Sequence, residues 1–381
     1  MGKLISRPVN GQVEVIYKEQ QAISTSQFDS LPNEVIMHAF SYLKIEDLLN
    51  CGLVSKRFRA ISNHDLLWPK MVNLCYKKVP VGFLQKLLDS GCKYLSLSQA
   101  TLEGTLNLSK PSGLIYLILC GFISSENSEK ILESSPSLQK LSLSRFHLSA
   151  KLIRIISLQN GKTLKVLDLS KCNFCIHENI CTRVSFRKGC SYRSYAVPVQ
   201  EIVKNCTELK EFSLHMTKLS ESSIDFLVSN LTSKIEKLDL FDIPCLKDEH
   251  VKKLVTRCNK ITDLNLGGRN SITKQSMNFI IEHLQLTLVK LGFKNVEFDF
   301  LKLKTMEKLK ILCLDYNNWS HVDRKLLKKL RKKLLPNLTI FYYDSISPIG
   351  PIIAVPNHRG FNECRGLWEI KAEREKLFDT V

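Results

Sequence analysis

Side chains that can bind metals are grouped near the middle of the chain, at Cys172, Cys175, His177, Cys181 and Cys190. Thiolates and imidazoles are the ligands that zinc prefers in proteins. The group contains only one C-x-x-C pair, however, and its spacing matches no zinc-binding pattern that we can assign. We therefore predict no metal site and no cofactor, and zinc at this group stays open as a minor alternative.

No pattern elsewhere in the chain predicts catalysis. The sequence lacks G-x-S-x-G, H-E-x-x-H, G-x-x-x-x-G-K-[ST] and G-x-G-x-x-G, which mark common hydrolase, metalloprotease and nucleotide-binding sites. Its nine histidines are scattered, and none is paired at metal-binding spacing. We therefore expect a protein that is not an enzyme.

The composition is that of a soluble folded protein, with 44% apolar and 24% charged residues among 381. No run approaches the ~18 apolar residues that span a membrane, and the first 21 residues contain no apolar secretory signal. Without such a signal, thirteen cysteines indicate free thiols in a reducing compartment. We expect a cytoplasmic or nuclear location, or both, and a flexible arm over residues 1–27.

An internal repeat organises most of the chain. From residue 92 onward an L-x-x-L-x-L pattern recurs, and the starts at 209, 235, 261 and 288 are 26, 26 and 27 residues apart. This spacing lies within the roughly 20–29 residues of leucine-rich repeats. Ten copies can be recognised, namely CKYLSL (92–97), LIYLIL (114–119), LQKLSL (138–143), LKVLDL (164–169), LKEFSL (209–214), IEKLDL (235–240), ITDLNL (261–266), LVKLGF (288–293), LKILCL (309–314) and LTIFYY (338–343).

Each copy predicts one strand and one helix. The alternation in L-x-L places both leucines on one face of a short strand, and DEHVKKLVTRC (248–258) has apolar residues at helical spacing. One such unit cannot bury its own apolar face, so stacked copies form a continuous core and a curved solenoid. Cys206 and Cys258 precede repeat starts and are predicted to be buried packing residues.

The repeat register breaks once, and the break holds the metal-binding group. The starts at 164 and 209 are 45 residues apart, so 45 − 26 = 19 residues are inserted near residues 175–198. The insertion mixes basic and aromatic residues, among them Arg183, Phe186 and Tyr192. This mixture suits a binding loop, and a disordered surface excursion is an equal alternative.

Before the repeats, residues 28–68 predict three short helices. The first should begin near Pro32 after a cap at Asp29 or Ser30, and IEDLLNC and LVSKRFRAIS (53–62) form the second and third. About forty residues cannot bury this much apolar surface alone. An exposed apolar helical face of this kind marks a protein–protein site.

These helices resemble the F-box, the motif with which substrate receptors dock onto the Skp-type adaptor of SCF ubiquitin ligases. The resemblance rests on LP-x-E, F-S-x-L, D-L, V-x-K-x-F and L-W, in this order, between Leu31 and Trp68. An F-box followed by leucine-rich repeats is similar to the F-box/LRR class of substrate receptors over residues 28–345. Ala39, Ser55 and Phe58 depart from the commoner residues of the motif, and each removes some apolar contact.

The resemblance implies an α/β fold, in which a short all-helical F-box of three helices precedes a curved leucine-rich-repeat solenoid with about ten repeats. The implied domains are an F-box (28–70), a linker helix (71–91), repeats (92–345) and a C-terminal tail (346–381) that packs on the array. The protein would be a non-catalytic substrate-recognition subunit. Its partners would be the Skp-type adaptor, through it the cullin and RING subunits, and a protein substrate destined for ubiquitination and proteasomal degradation.

The resemblance also implies which residues bind. The adaptor-binding set is Leu31, Pro32, Ile36, Phe40, Leu43, Leu48, Val54, Phe58 and Trp68, of which about half could pack inward instead. The substrate-binding set consists of predicted solvent-facing residues between and beside the strand leucines and two aromatic anchors, namely Ser144, Asp168, His215, Asp239, Phe241, Asp242, Asn265, Lys294, Asp315 and Trp319.

The net charge of +18 leaves other functions open. It is compatible with a lysine-rich solvated surface or with an acidic partner such as nucleic acid. The basic segment 322–335 is compatible with the outer face of a helix, with a nuclear-import signal or with a contact to an acidic surface of a partner. The alternatives to a ligase receptor are therefore a ligase-independent repeat-binding or scaffold protein and, less strongly indicated, a nucleic-acid-binding solenoid. No contact with a membrane is expected.

Overall fold

The chain forms two compact units, residues 1–62 and 63–381, which we describe separately. The structure is a computed structural model, and it describes residues 27–67, 72–108, 110–120, 123–174, 196–268, 271–291, 300–315 and 337–343. Several predicted features lie outside these residues, namely the N-terminal arm, Trp68, the insertion over 175–195, Lys294, Trp319, the basic segment 322–335 and the C-terminal tail. Within the described part, no helix is both long and apolar enough to span a membrane.

The first unit contains a 3-10 turn (Gln27–Ser30) and three helices, α1 (Asn33–Phe40), α2 (Ile45–Val54) and α3 (Lys56–Ser62). Helix α3 packs against both α1 and α2. The buried residues of the unit include Ile36, Phe40, Leu48 and Ile61. The predicted arrangement of three short helices is therefore confirmed.

Two helix boundaries differ from the sequence predictions. Pro32 occupies the N-cap position of α1 and no side chain caps that helix, so the prediction of a cap at Asp29 or Ser30 was wrong. The predicted third helix from residue 53 is broken at Ser55, whose backbone is extended (φ −154°, ψ 163°). The Ser55 hydroxyl accepts a hydrogen bond from the Phe58 amide at 3.0 Å, which is the usual role of serine at a helix start.

The second unit is built on one parallel sheet. Its strands are β1 (Val72–Asn73), β3 (Tyr94–Leu97), β5 (Tyr116–Cys120), β6 (Lys140–Ser144), β8 (Val166–Asp168), β10 (Glu211–Ser213), β11 (Lys237–Asp239), β12 (Asp263–Leu266), β13 (Leu288–Leu291), β14 (Ile311–Asp315) and β15 (Thr339–Tyr343). The described strands pair in this order, each with the next along the chain. Two small parallel sheets join β2 (Lys78–Pro80) to β4 (Thr101–Glu103), and β7 (His147–Leu148) to β9 (Asn173–Phe174).

Helices connect the strands as the repeat pattern predicts. They are α4 (Val81–Asp89), α5 (Ser125–Glu133), α6 (Ala150–Arg154), α7 (Ala196–Asn205), α8 (Glu221–Asn230), α9 (Asp248–Arg257) and α10 (Lys274–His283). A π-helical turn (Ile155–Gln159) continues α6, and a 3-10 segment (Phe300–Thr305) precedes β14. Hydroxyl side chains cap four of these helices, at Ser124, Ser149, Ser220 and Thr273, because they accept hydrogen bonds from amides of the first turn.

The leucines of the repeat form the core. In β11 and β12, Leu238 pairs with Leu264, and both core positions of each strand are at most 1% exposed. The same holds for Leu95 and Leu97 at the beginning of the array. Because every strand adds its leucines beside those of its neighbours, the stacked repeats bury what one repeat cannot. The predicted leucine-rich-repeat solenoid is confirmed.

The array begins earlier than the sequence pattern suggested. Val72 pairs with Leu95, and Val72 and Leu74 are 1% and 4% exposed, so they take the two core positions of a further repeat. The predicted linker helix over 71–91 is only partly helical, since α4 begins at residue 81. The sequence pattern missed this repeat because its two core positions are Val72 and Leu74 instead of two leucines.

Two repeat starts are shifted in the structure. Leu288 pairs with Asp263, so buried Leu286 takes the place that the sequence pattern assigned to residue 288. Thr339 pairs with Ile311, which shifts the strand of the last copy by one residue, while Leu338 stays buried. The residue aligned with Asn265 is consequently Lys290, and Lys294 lies outside the described residues.

A left-handed residue follows the strand in the described repeats. The backbone has positive φ at Tyr76, Gln99, Arg145, Lys171, Met216, Asp242 and Gly268. Several of these residues donate their amide to the next repeat, as Met216 does to the Phe241 carbonyl at 2.8 Å and Asp242 to the Gly267 carbonyl at 2.9 Å. The turn therefore transmits the strand register from repeat to repeat.

Burial of the thiols agrees with a packing role. Cys206 and Cys258 are at most 1% exposed, and burial raises their thiol pKa to about 12 and about 11. The Cys172 sulfur lies 3.3 Å from the Leu143 carbonyl. All three residues act as small core groups.

The left-handed turn at Gly268 provides a test of this register. Its φ is +88°, and a Cβ there would lie 2.7 Å from the Asp242 backbone. We expect Gly268→Ala to lower the free energy of unfolding by at least about 1–2 kcal/mol, the cost of a left-handed non-glycine residue. Urea unfolding followed by circular dichroism measures this change.

The matched control is Gly82→Ala in α4. A Cβ at residue 82 meets no atom within 4 Å, and alanine favours a helix over glycine by about 1 kcal/mol. Equal effects of the two substitutions would contradict the described turn.

Candidate functional sites

The F-box unit exposes an unusual number of apolar side chains. Val54 is 71% exposed and Leu53 59%, and both lie at the end of α2. Val35 in α1 is 48% exposed, and Leu31 and Leu43 are 36% and 37% exposed. Apolar side chains that a small unit leaves in solvent are candidates for a protein partner.

The predicted adaptor-binding set divides into an exposed and a buried part. Leu31, Pro32, Leu43 and Val54 are exposed. Three others lie in the core, namely Ile36, Phe40 and Leu48. The buried three shape the surface from below rather than touching a partner.

Phe58 holds an intermediate position. Its ring meets Phe28 edge-on at 6.1 Å and Phe40 edge-on at 5.3 Å. This geometry is favourable between aromatic rings. Phe58 therefore fastens the N-terminal turn and α1 to α3, although the sequence suggested a contact residue.

Some exposed apolar residues were missing from the predicted set. Val35 and Leu53 are more exposed than Leu31, and Phe28 and Tyr42 are 57% and 76% exposed. Val35 stands in the helical stripe beside Ile36, so periodicity alone could not separate the two. The sequence placed Leu53 in the third helix, whereas the structure ends α2 at Val54 and so places Leu53 in the last turn of that helix.

The second candidate site is the sheet face opposite the leucines. The prediction that its residues face solvent was wrong for four members, since Asp168, Asp239, Phe241 and Asn265 are 8%, 1%, 7% and 2% exposed. His215, Ser144 and Asp242 are half-buried, and Asp315 ends β14.

The buried polar residues cap the ends of the strands. Asp239 accepts a hydrogen bond from the Phe241 amide at 2.9 Å, and Asn265 accepts one from the Gly267 amide at 3.1 Å. Asp168 does the same for the Ser170 amide at 2.9 Å. Short polar side chains make this local bond readily, and it explains why Asp or Asn recurs between the two leucines.

Some of these caps join into a polar row across β6, β8 and β10. The Ser142 hydroxyl donates to Asp168 at 2.9 Å, and the hydroxyls of Ser170 and Ser213 are 3.0 Å apart. The His215 amide donates to the Ser213 hydroxyl at 3.4 Å. The polar row thus links three successive described strands on one face.

His215 and Phe241 end the polar row. Their rings are stacked with centroids 4.6 Å apart and an interplanar angle of 12°. The His215 Nδ1 atom lies 3.6 Å from Asp239 Oδ1, and it has no hydrogen-bond partner. Phe241 was predicted as an exposed aromatic anchor, but its ring is buried against this histidine.

Burial sets the acidity of Asp168. Loss of solvent raises the pKa of its carboxyl, the hydrogen bonds from Ser170 and Ser142 oppose that rise, and the charge of Asp239 adds to it. Below pH about 3.8, the ordinary value, both folded and unfolded chains carry the proton. Stability therefore falls as the pH rises through the folded pKa, because the ionised group is less favoured in the folded state.

Several lysines of the described repeats are paired with carboxylates of a neighbouring repeat. Lys210 lies 2.8 Å from Glu236, and Lys234 lies 2.5 Å from Glu208. Such pairs account for part of the basic charge without a nucleic acid. No group of three or more His, Cys, Asp or Glu in the described chain could hold a metal ion, and the cysteine-rich insertion lies outside it.

Comparisons with known proteins identify the first unit. Residues 28–73 match the F-box-like family. A relative from Dictyostelium discoideum, F-box/WD repeat-containing protein A, is 35% identical over 68 residues, which are 17% of this chain and 6% of the relative.

Two solved structures resemble a larger part of the chain. They are the leucine-rich repeat-containing protein LegL7 from Legionella pneumophila (14% identity, 72% of this chain, 93% of the other, TM-score 0.32) and a complex of Rad7 and Elc1 in yeast (13% identity, 85% of this chain, 93% of the other, TM-score 0.32). At these scores the likeness adds nothing to the repeats seen directly in the strands.

The two parts define the class of the protein. Along the chain, an F-box-like domain precedes a parallel leucine-rich-repeat sheet, so the protein combines these two parts. This architecture is typical of non-catalytic adaptor proteins.

The capping role of Asp168 leads to a test within the repeat unit. Asp168→Asn keeps an acceptor for the Ser170 amide and removes the buried charge, as Asn265 does in its own repeat. We expect its urea midpoint at pH 7 to equal or exceed that of the wild type. Asp168→Ala should lose about 1–3 kcal/mol, because a buried donor is left unpaired.

Asn265→Asp is the reverse control. It adds a buried carboxylate at the equivalent position, so its midpoint should drop at pH 7 and recover as the pH is lowered. Urea titrations at several pH values compare the variants. The raised pKa of Asp168 would be contradicted if the wild type gained stability between pH about 4 and 7 and Asp168→Asn did not.

Proposed function

We propose that this protein is the substrate receptor of an SCF ubiquitin ligase. In this proposal the F-box unit binds the Skp-type adaptor, and the repeats hold a protein for ubiquitination. One observation carries it: the domain that matches the F-box-like family leaves Leu53 and Val54 more than half exposed.

The energetics support a partner on the F-box unit. Full burial of a Val or Leu side chain contributes about 1.5–3 kcal/mol. Leu31, Val35, Leu53 and Val54 are each at least 36% exposed, so several such contributions are left for an interface. These residues sit on or beside helices that are held by their own core, which makes the surface largely pre-formed.

The accessible residues of the repeat strands support a protein target. Tyr94, Tyr116 and Lys140 stand one residue before the first leucine of their strands, and each is half-buried. The Lys140 ammonium lies 5.7 Å from the centre of the Tyr116 ring. Aromatic groups with charged neighbours are common at protein interfaces, so this edge of the polar face is a better candidate than the buried caps.

The proposed chemistry is proximity. A receptor that binds adaptor and target at once raises the effective concentration of target beside the conjugating enzyme, to about millimolar for short connections. No residue of this chain takes part in bond formation. The His215 and Asp239 pair fits this reading, because Asp239 is 1% exposed and serves as a strand cap.

The adaptor interface is tested by Leu53→Lys combined with Val54→Lys. Both side chains are exposed, so the charges should remove binding without unfolding the F-box unit. We expect the wild-type chain, co-expressed with a Skp-type adaptor, to co-elute with it one to one in size-exclusion chromatography, and the double variant to elute alone.

Leu158→Lys is the matched control, because Leu158 is an equally exposed leucine (67%) in the repeat unit. It should leave the complex intact. Phe40→Ala is unsuitable, since loss of a buried phenylalanine costs about 3–5 kcal/mol and would disturb the fold. A wild-type chain that is monodisperse alone and ignores the adaptor would point to a ligase-independent binding protein.

A further inference from the structure

One guanidinium in the F-box unit holds the turn that precedes α1. Arg57 Nε donates to Asn33 Oδ1 at 2.9 Å, and its Nη1 donates to the Phe28 carbonyl at 3.1 Å. Nη2 donates to the Leu31 carbonyl. Arg57 is the second residue of α3 and reaches back 24 to 29 residues along the chain.

The turn is also held by contacts of its own backbone and of its aromatic ring. Pro32 has no amide hydrogen, and α1 has no side-chain cap. Within the turn, the Leu31 amide donates to the Phe28 carbonyl at 3.3 Å. The Phe28 ring also meets the Phe58 ring edge-on. Arg57 joins the Phe28 and Leu31 carbonyls and the Asn33 side chain, at the start of α1, to the third helix.

A planar guanidinium is suited to this task. Its donors form a rigid fork that can meet several acceptors at once, whereas a lysine ammonium is a point charge on a flexible stem. Leu31, whose carbonyl it binds, is one of the exposed apolar residues of the proposed adaptor surface. Fixing its backbone in the free protein avoids an ordering cost at the moment of binding.

We propose that Arg57 is a positioning residue for the adaptor interface. Its guanidinium holds the segment Phe28–Asn33 in the conformation that presents Leu31 and Phe28 to the adaptor. The role rests on the proposed function, and it assigns Arg57 no direct contact with the partner. The F-box pattern in this sequence highlights Lys56 and Phe58 on either side and not Arg57.

The first experiment measures the affinity of the full-length chain for a Skp-type adaptor by isothermal titration calorimetry. Arg57→Met and Arg57→Lys should both weaken binding by about tenfold or more, because methionine has no donor there and the lysine ammonium lacks the rigid planar fork that spans the three acceptors. Arg59→Met is the matched control. It removes the same charge from the same helix but gives up one bond, from Nε to the Gly52 carbonyl at 3.0 Å, and should change the affinity by less than about threefold.

The second experiment separates positioning from general stability. Hydrogen exchange of the free chain should speed up at Leu31 and its neighbours in Arg57→Met, while the amides inside α2 keep their protection. Equal exchange in the turn, or exchange that rises throughout α1, α2 and α3, would overturn the proposal.

A double-mutant cycle with Leu31→Ala supplies the third measurement. If Arg57 acts through the turn, its substitution should cost little affinity once the Leu31 side chain is absent. Additive losses that also weaken with added salt would show a direct charge contact and overturn the positioning role. A wild-type chain without adaptor affinity would instead overturn the proposed function, and hydrogen exchange would still report whether Arg57 holds the turn.

Discussion

The repeat unit depends on leucines that their own repeat cannot bury. Each strand carries two core positions on one face, and a single strand of three to five residues has nothing to place against them. Parallel pairing solves this, because Leu238 meets Leu264 on the next strand and each of these pairs is shielded by the helices behind. Removal of apolar area from water, at roughly 25 cal/mol per Å², is therefore gained between repeats and not within them.

That constraint determines the chemistry of the opposite face. Each strand must keep its register with the next strand. The turn that ends the strand must therefore have the same conformation in each repeat. The left-handed residue at Asp242 and Gly268 and the capping bond from Asp239 or Asn265 provide this closure. Polar residues between the leucines are thus first of all structural, and a partner must be recognised by the less buried residues at their side.

The sequence pattern predicted the periodic part of this fold well. Strands occur at all ten predicted copies, because L-x-L alternation and helical spacing are set by local geometry that neighbours reinforce. It failed where the signal was short or ambiguous. Val72 and Leu74 formed a repeat without its usual leucines, and Leu286 and Leu288 both fitted the repeat start until strand pairing with Asp263 chose between them.

Burial of the candidate site residues was harder to predict for a physical reason. Alternation says which face a side chain takes, but not how much solvent reaches that face, so Asp239 and Phe241 were assigned correctly to a face and wrongly to solvent. In the F-box unit, Val35 and Ile36 are neighbours in one apolar stripe, yet they are 48% and 2% exposed. The position of α3 decides this difference, and no local pattern encodes it.

The two units answer the same problem in different ways. The repeats complete their core by stacking on one another, so each row of leucines is buried by the next. The opposite face of the sheet is then occupied by the polar residues that cap the strand ends. Three helices of 8, 10 and 7 residues have no such copies, and a unit of this size buries too little of its chain to cover every apolar side chain. In the part of this unit that the structure describes, Leu53 and Val54 stay in solvent because no fourth element covers them. A partner protein that supplies that element would complete the core, which is why an exposed apolar surface here is better explained as half of an interface than as a defect of the fold.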